Sequence, residues 1–295
     1  MLRRAVLVER PTELQELLAR HGTREQARFF LRTRGLDLAE TEERHLRHEE
    51  ARTAVLRAVP AEWRTATVRR DELDRFLFEA DDVVLVLGPD GLVANVAKYL
   101  DGQPVAGLDP DPGFNPGVLV THAPTATADL CADVVAGRAI VRERTMVAAT
   151  LDDGRTLTAL NELFLGHRSH QSARYELAAD GRREHQSSSG LIVATGTGAT
   201  GWAASINRGL AAPLTLPGPA DPALAWFVRE AWPGPRTATT LTAGGLAGGE
   251  TLEVVSENGE GGVLFGDGIE ADHVPLDRGQ RVTIGVADRR LRLLG

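Results

Sequence analysis

The chain has 295 residues, 42% hydrophobic and 25% charged, enough apolar material for one large domain or two of ordinary size. Its net charge of −8 provides no general basic field for nucleic acid or an anionic membrane. A single cysteine, Cys131, excludes an intrachain disulfide framework, and a single lysine, Lys98, sits in no Gly-Lys-Ser/Thr phosphate loop.

The first apolar run, Ala5–Val8, is too short for a signal-peptide core, and no run approaches the roughly 18 apolar residues of a spanning helix. The composition therefore predicts a soluble, cytoplasmic protein. Ala5–Val8 reads as a strand, and Thr12 then caps a helix that stops at Gly22. A second helix is expected over 24–34. A long charged helix follows over 38–59, and its His45 and His48 read as part of a solvated face.

After Pro60, residues 66–70 read as a strand and 71–78 as a helix. The continuous apolar run 82–88 fits a central strand of a parallel sheet covered on both faces. A helix over 92–102 and a strand over 104–109 complete an alternation that predicts an open, mostly parallel α/β sheet. Cys131 reads as a core cysteine on a further helix. From about residue 138 the texture becomes mainly β, with Asp153-Gly154 and Asp180-Gly181 as hairpin turns. These patterns predict an α/β domain over 1–124 and a mainly β domain over 125–277. The tail, about 278–295, is free to pack back on the first domain.

Four segments can carry chemistry. Gly88-Pro89-Asp90-Gly91-Leu92 ends the strongest apolar strand, where open α/β sheets bind ligands and where glycine lets backbone N–H groups approach phosphate. It is equally readable as a tight turn. Asn161-Glu162 lies in an apolar segment, where two polar side chains either grip a ligand or mark a strand end. Gly196, Gly198 and Gly201 match G-x-G-x-x-G after a strand. No second strand ending in an acid follows, so a nucleotide-holding loop fits and a dinucleotide dehydrogenase domain does not. Gly266-Asp267-Gly268 reads as a tight turn. His167 and His170 have H-x-x-H spacing in a strand-like segment, where the two side chains face opposite ways.

Taken in order, GPDGL, LNELFLG, ATGTGATGW and FGDGI resemble the NAD kinase family, whose motifs are Gly-Gly-Asp-Gly-Thr, Asn-Glu, a Gly/Thr-rich loop and a late Asp-Gly turn. Ser188-Ser189-Gly190, Thr195-Gly196-Thr197-Gly198 and Asn207-Arg208 are similar to the mitochondrial-type branch and its bacterial relatives. The resemblance implies an α/β N-terminal domain with a mainly β C-terminal domain. It also implies transfer of the γ-phosphoryl of ATP to the 2′-hydroxyl of the adenosine ribose of NAD, with Mg²⁺. Asp90 would orient or deprotonate the attacking hydroxyl and help place the metal, while Gly88 and Gly91 would meet phosphate. Asn161 and Glu162 would hold the adenosine portion. Thr195, Thr197, Thr200 and Trp202 would line the nucleotide cleft, and Ser189 would stand near the nicotinamide end. NAD and ATP are the implied ligands, with neither nucleic acid nor membrane, and a homodimer or homotetramer is the implied assembly.

Two positions depart from the family pattern. Pro89 replaces a glycine and removes a backbone N–H, and Leu92 replaces a threonine and removes a hydroxyl. These departures leave room for polyphosphate as donor, for a kinase acting on another hydroxyl such as that of a nucleoside or sugar, or for a non-catalytic nucleotide-binding relative.

Overall fold

The computed structural model describes residues 3–112 and 117–295. The chain divides into two compact units, Met1–Arg142 with Arg292–Gly295, and Glu143–Leu291.

Unit 1 is built on strands β1 (Arg4–Glu9), β2 (Arg64–Arg69), β3 (Asp82–Leu87), β4 (Pro104–Leu108) and β5 (Val141–Arg144), with the C-terminal strand Leu291–Leu294. The sheet order is β2-β1-β3-β4, then the C-terminal strand, then β5. The pairs among β1 to β4, and that of β4 with the C-terminal strand, are parallel. Every residue of β3 is buried, as its unbroken apolar run requires of a strand covered on both faces.

The helices are α1 (Glu13–His21), α2 (Arg24–Arg32), α3 (Leu38–Ala58), α4 (Asp90–Ala97) and α5 (Thr127–Ala136). Thr12 caps α1 and forms a reciprocal capping box with Gln15. From α3, Val55 packs into the core beside Leu7, Leu85 and the fully buried Cys131 of α5. Burial pushes the Cys131 thiol up to about 11, which leaves it unreactive at neutral pH.

Three expectations change here. Residues 71–78 form no α-helix: a single 3-10 turn spans Arg70–Glu72. Leu73, Phe76 and Leu77 have helical spacing, yet only Leu73 is fully buried and Leu77 is exposed. The Arg4 guanidinium donates to the Leu77 carbonyl and lies over the Phe76 ring, fixing an irregular path into β3. The division falls after Arg142 instead of near residue 124, because α5 packs into the core of unit 1. Of the 278–295 tail, Arg292–Gly295 alone rejoins unit 1.

Unit 2 contains β6 (Val147–Leu151), β7 (Thr156–Ala159), β8 (Glu162–His167), β9 (Ala173–Ala179), β10 (Arg182–Ser188) and β11 (Leu191–Ala194). Helix α6 (Trp202–Arg208) follows, then β12 (Ala223–Val228), β13 (Ala243–Ala247), β14 (Thr251–Ser256), β15 (Gly262–Gly266), β16 (Val274–Leu276) and β17 (Arg281–Val286). They form two six-stranded sheets, β10-β9-β14-β17-β6-β7 and β13-β12-β11-β8-β15-β16. Alternate residues from the two sheets, among them Leu163, Tyr175, Val193, Trp226, Val254 and Ile284, share one core. The outer face of the second sheet buries Phe164, Ile192 and Phe227 with Ala203 of α6. Strands β11 and β12 are thus covered on both sides, which explains their continuous apolar sequence. At the β9–β10 hairpin, Asp180 and Gly181 both take positive φ, 51° and 72°, the geometry of a type I′ turn.

Candidate functional site

In unit 1, the phosphate-motif segment connects β3 to α4. Gly88 is buried with a φ of 154°, and its N–H donates to the Leu108 carbonyl. Pro89 stands at the N-cap of α4 without any side-chain cap, and Asp90 opens the helix. The Asp90 carboxylate accepts three backbone N–H groups: Oδ2 from Val118 at 2.6 Å, and Oδ1 from Leu119 at 3.1 Å and Val120 at 2.9 Å. Asp90 therefore anchors the 118–120 segment as well as standing at the carboxyl end of β3. Gly91 is exposed, with open space where a side chain would project. Leu92 is 2% exposed and lies against Gly88, filling the core beneath the connection.

In unit 2, three separate segments meet. Asp267, in a turn at a φ of 53°, accepts the N–H of Leu160 at 3.0 Å and of Asn161 at 2.6 Å. Its own N–H returns to the Glu162 carbonyl at 3.0 Å. Thr195, fully buried at the end of β11, donates its hydroxyl to the Leu160 carbonyl at 2.6 Å and its N–H to the Asn161 carbonyl at 2.9 Å. The same hydroxyl accepts from the N–H groups of Thr197 and Gly198, at 3.1 and 3.2 Å. Thr195 is thus the knot that ties the glycine loop to the Asn161-Glu162 segment, and its hydroxyl has no bond to spare for a ligand.

Thr197 differs. It is 3% exposed and its Oγ1 has no hydrogen-bond partner, the condition of a polar atom that a ligand would satisfy. Thr200 is exposed and donates its hydroxyl to the Thr197 carbonyl. Trp202 is 38% exposed and stacks on Phe164 with an interplanar angle of 14°, while the Arg229 guanidinium lies 4.9 Å from its ring. Ser189 is exposed beside this group, with its N–H bonded to the Arg229 carbonyl. By its sequence Asp267 reads as a turn residue alone. Nothing local announces that its carboxylate reaches a segment more than a hundred positions earlier.

Glu162 carries the main electrostatic feature of unit 2. Burial, reinforced by the Asp267 charge, raises its carboxyl from 4.5 to about 7. The folded state therefore binds a proton that the unfolded chain has lost between those values, and stability falls as pH rises across that window. The group costs about 3 kcal/mol above pH 7 that it does not cost below pH 4.5. Glu162→Gln removes this dependence. Thermal melts should show the variant gaining on the wild type from pH 5 to pH 8; a constant difference would contradict the assignment.

Among the described residues, no group of three or more His, Cys, Asp or Glu side chains is arranged to hold a metal ion, and no helix is long and apolar enough to cross a membrane.

No family model matches the chain. An NAD kinase of Chlorobaculum tepidum is 27% identical over 136 residues, 45% of this chain and 47% of the relative. One from Methylococcus capsulatus is 33% identical over 132 residues, 42% of this chain and 44% of the relative. The match thus spans under half the length of either relative. Over its whole length the chain matches yeast NADH kinase complexed with NADH, with a TM-score of 0.60, 16% identity and 84% of that chain covered. It likewise matches an NAD kinase from Archaeoglobus fulgidus in complex with ATP, with a TM-score of 0.58, 16% identity and 94% of that chain covered. The fold is a two-unit fold, α/β followed by β. It is the fold of the NAD kinases, and the sequence likeness is to that same family.

Proposed function

We propose that this chain is an NAD kinase, transferring the γ-phosphoryl of ATP to the 2′-hydroxyl of the adenosine ribose of NAD. One observation carries the reading. Three of the four motif segments are widely separated in sequence, yet they are bonded to one another through Asp267 and Thr195 in unit 2.

In the reaction, a bond forms between the ribose 2′-oxygen and the γ-phosphorus, the bond from that phosphorus to the leaving ADP oxygen breaks, and the hydroxyl proton is released. Little covalent chemistry falls to the protein, so position and charge decide the rate. Asp90 orients the hydroxyl. An ionised carboxylate has about four acceptor positions; three are taken by backbone N–H groups, and the remaining one is on Oδ2. The exposed backbone of Gly91 lets a phosphate approach the start of α4. Asn161 and Glu162 hold the adenosine ribose. With its carboxyl near 7, Glu162 both donates to and accepts from hydroxyls at neutral pH. Thr197 supplies its unpaired hydroxyl, and Trp202 an aromatic face. Mg²⁺ fits as a companion of the nucleotide phosphates, since these residues build no all-protein cage for it. Bound there, it would neutralise phosphate charge. The family resemblance adds self-association as a homodimer or homotetramer and a cytoplasmic setting; light scattering of the purified chain tests the first.

Leu92 is turned into the core and Pro89 lacks an N–H, so polyphosphate is tested beside ATP as the donor. Purified protein incubated with NAD, Mg²⁺ and either ATP or polyphosphate should yield NADP with ATP. NADP from polyphosphate alone would change the donor. Turnover of a nucleoside or sugar without any NADP would replace the acceptor.

A further inference from the structure

Unit 1 contains a cleft of about 160 Å³ outside the carboxyl ends of β1, β3 and β4, the place where open α/β sheets take ligands. Gly88 and Pro89 form one wall and the start of α1 another, so the N-termini of α1 and α4 both border it. Beyond the exposed Gly91 backbone, the β3–α4 connection is nonetheless poor in donors. Pro89 has no N–H, the Gly88 N–H is spent on the Leu108 carbonyl, and the Leu92 N–H is spent on the Pro89 carbonyl at 2.8 Å.

The opposite wall is one face of α3. Thr41, Arg44, His45 and His48 recur at the i, i+3, i+4, i+7 spacing of a single helical face and line the cleft, while Glu40, Glu43 and Glu50 are exposed elsewhere on the helix. The solvated face expected of His45 and His48 is therefore a cleft face. The His45 Nδ1 lies 2.9 Å from the Thr12 hydroxyl, which also accepts the Gln15 N–H as a cap. His48 is half-buried, and burial holds its imidazole below the usual histidine range. Most of the acids at the cleft are already engaged. Glu13 pairs with Arg44 at 2.7 Å and Asp111 with Arg47 at 3.0 Å, while Asp109 caps the Asp111 N–H at 2.9 Å. Arg10, exposed at the rim, makes no ion pair among the described residues.

We propose that His45 and His48 of α3, with Arg10, bind the terminal phosphates of the phosphoryl donor, supplying from side chains the donors that the β3–α4 connection lacks. Asp109 is compatible with a phosphate chain that carries its own Mg²⁺. The inference rests on the kinase reading for the identity of the donor, although the phosphate site can be tested without it.

The test uses the full chain and calorimetric titration with inorganic tripolyphosphate plus Mg²⁺, with MgATP, and separately with NAD. Arg10→Gln, His45→Gln and His48→Gln should each weaken tripolyphosphate and MgATP binding by about tenfold or more, as loss of a contact to a charged group does. NAD affinity should stay within about twofold, which also reports that the variants are folded. Arg10 is exposed, so its substitution does not endanger the fold. Pro89→Gly, which restores an N–H, should recover part of the affinity lost in His48→Gln. No tripolyphosphate binding by the wild type, unchanged affinity in all three variants, or no recovery in the Pro89→Gly background would overturn the proposal. NADP formation with unaltered donor KM in every variant removes this site and leaves the kinase reading intact. Histidine-dependent tripolyphosphate binding without NADP formation upholds the site and removes that reading.

Discussion

Asp90→Ala lowers NADP formation by about 10³-fold or more, the upper range for losing a group that acts on the transferred proton. NAD affinity should weaken only severalfold, because the adenosine is held by residues of unit 2 in the proposed reaction. The substitution also strips the acceptor from the N–H groups of exposed Val118 and of buried Leu119 and Val120, at a stability cost of about 1–3 kcal/mol for the latter two donors left unpaired. Asp90→Asn separates the two roles. The amide keeps one acceptor oxygen for the segment but places an NH₂ against a backbone donor, and it offers no carboxylate to the hydroxyl. Its melting temperature should lie between those of the wild type and Asp90→Ala, with turnover as low as in the alanine variant. Single-turnover rates and melting curves for both variants check this. Turnover within tenfold of wild type in either one would show that Asp90 serves the fold alone.

The second large effect is expected at Gly198. A side chain there would begin 2.2 Å from the Asn161 carbonyl oxygen, a backbone atom. That oxygen cannot move freely, since it accepts the Thr195 N–H while the Asn161 N–H is held by Asp267. Gly198→Ala must therefore separate the glycine loop from the Asn161-Glu162 segment or distort both. Such overpacking costs about 1–3 kcal/mol or more, and misplacement of positioning residues by an ångström costs about a hundredfold in rate. Gly259→Ala is the matched control, because Gly259 is exposed with nothing near its would-be side chain. The melting transition of unit 2 should fall for Gly198→Ala and not for Gly259→Ala. Equal melting curves would mean that the knot yields readily and that Thr195 does not hold the site together.

Much of this arrangement is legible in the amino-acid order, where short-range physics decides. The β3 run could only be a strand buried on both faces. Thr12 before apolar residues at helical spacing marks a helix start, and Asp180-Gly181 marks a hairpin turn. The 71–78 stretch misled for a definite reason. Leu73, Phe76 and Leu77 repeat at helical spacing, but the Arg4 guanidinium, far away in sequence, takes the Leu77 carbonyl and the Phe76 ring and holds the chain irregular.

The site was legible as a set of segments and not as a set of roles. Asp90, Asn161, Glu162 and the Thr195–Gly198 loop stood out as residue types that need partners. The sequence offered no means of seeing that Thr195 spends its hydroxyl on the Leu160 carbonyl, or that Asp267 closes the turn onto the segment before β8. His45 and His48 were hidden for another reason. A helix so rich in charge resembles a solvated one, and only the packing of α3 beside the β1 and β3 connections turns its histidine face towards a cleft.

The central claim concerns one bond, from the γ-phosphorus of ATP to the 2′-oxygen of NAD. ATP whose γ-phosphoryl oxygens carry oxygen-18, incubated with the wild-type chain, Mg²⁺ and NAD, tests it directly by mass spectrometry of the product. The account predicts NADP heavier by the full transferred label, with the phosphate on the adenosine ribose. Unlabelled NADP, label on any other acceptor, or intact NAD beside unconsumed ATP would contradict it.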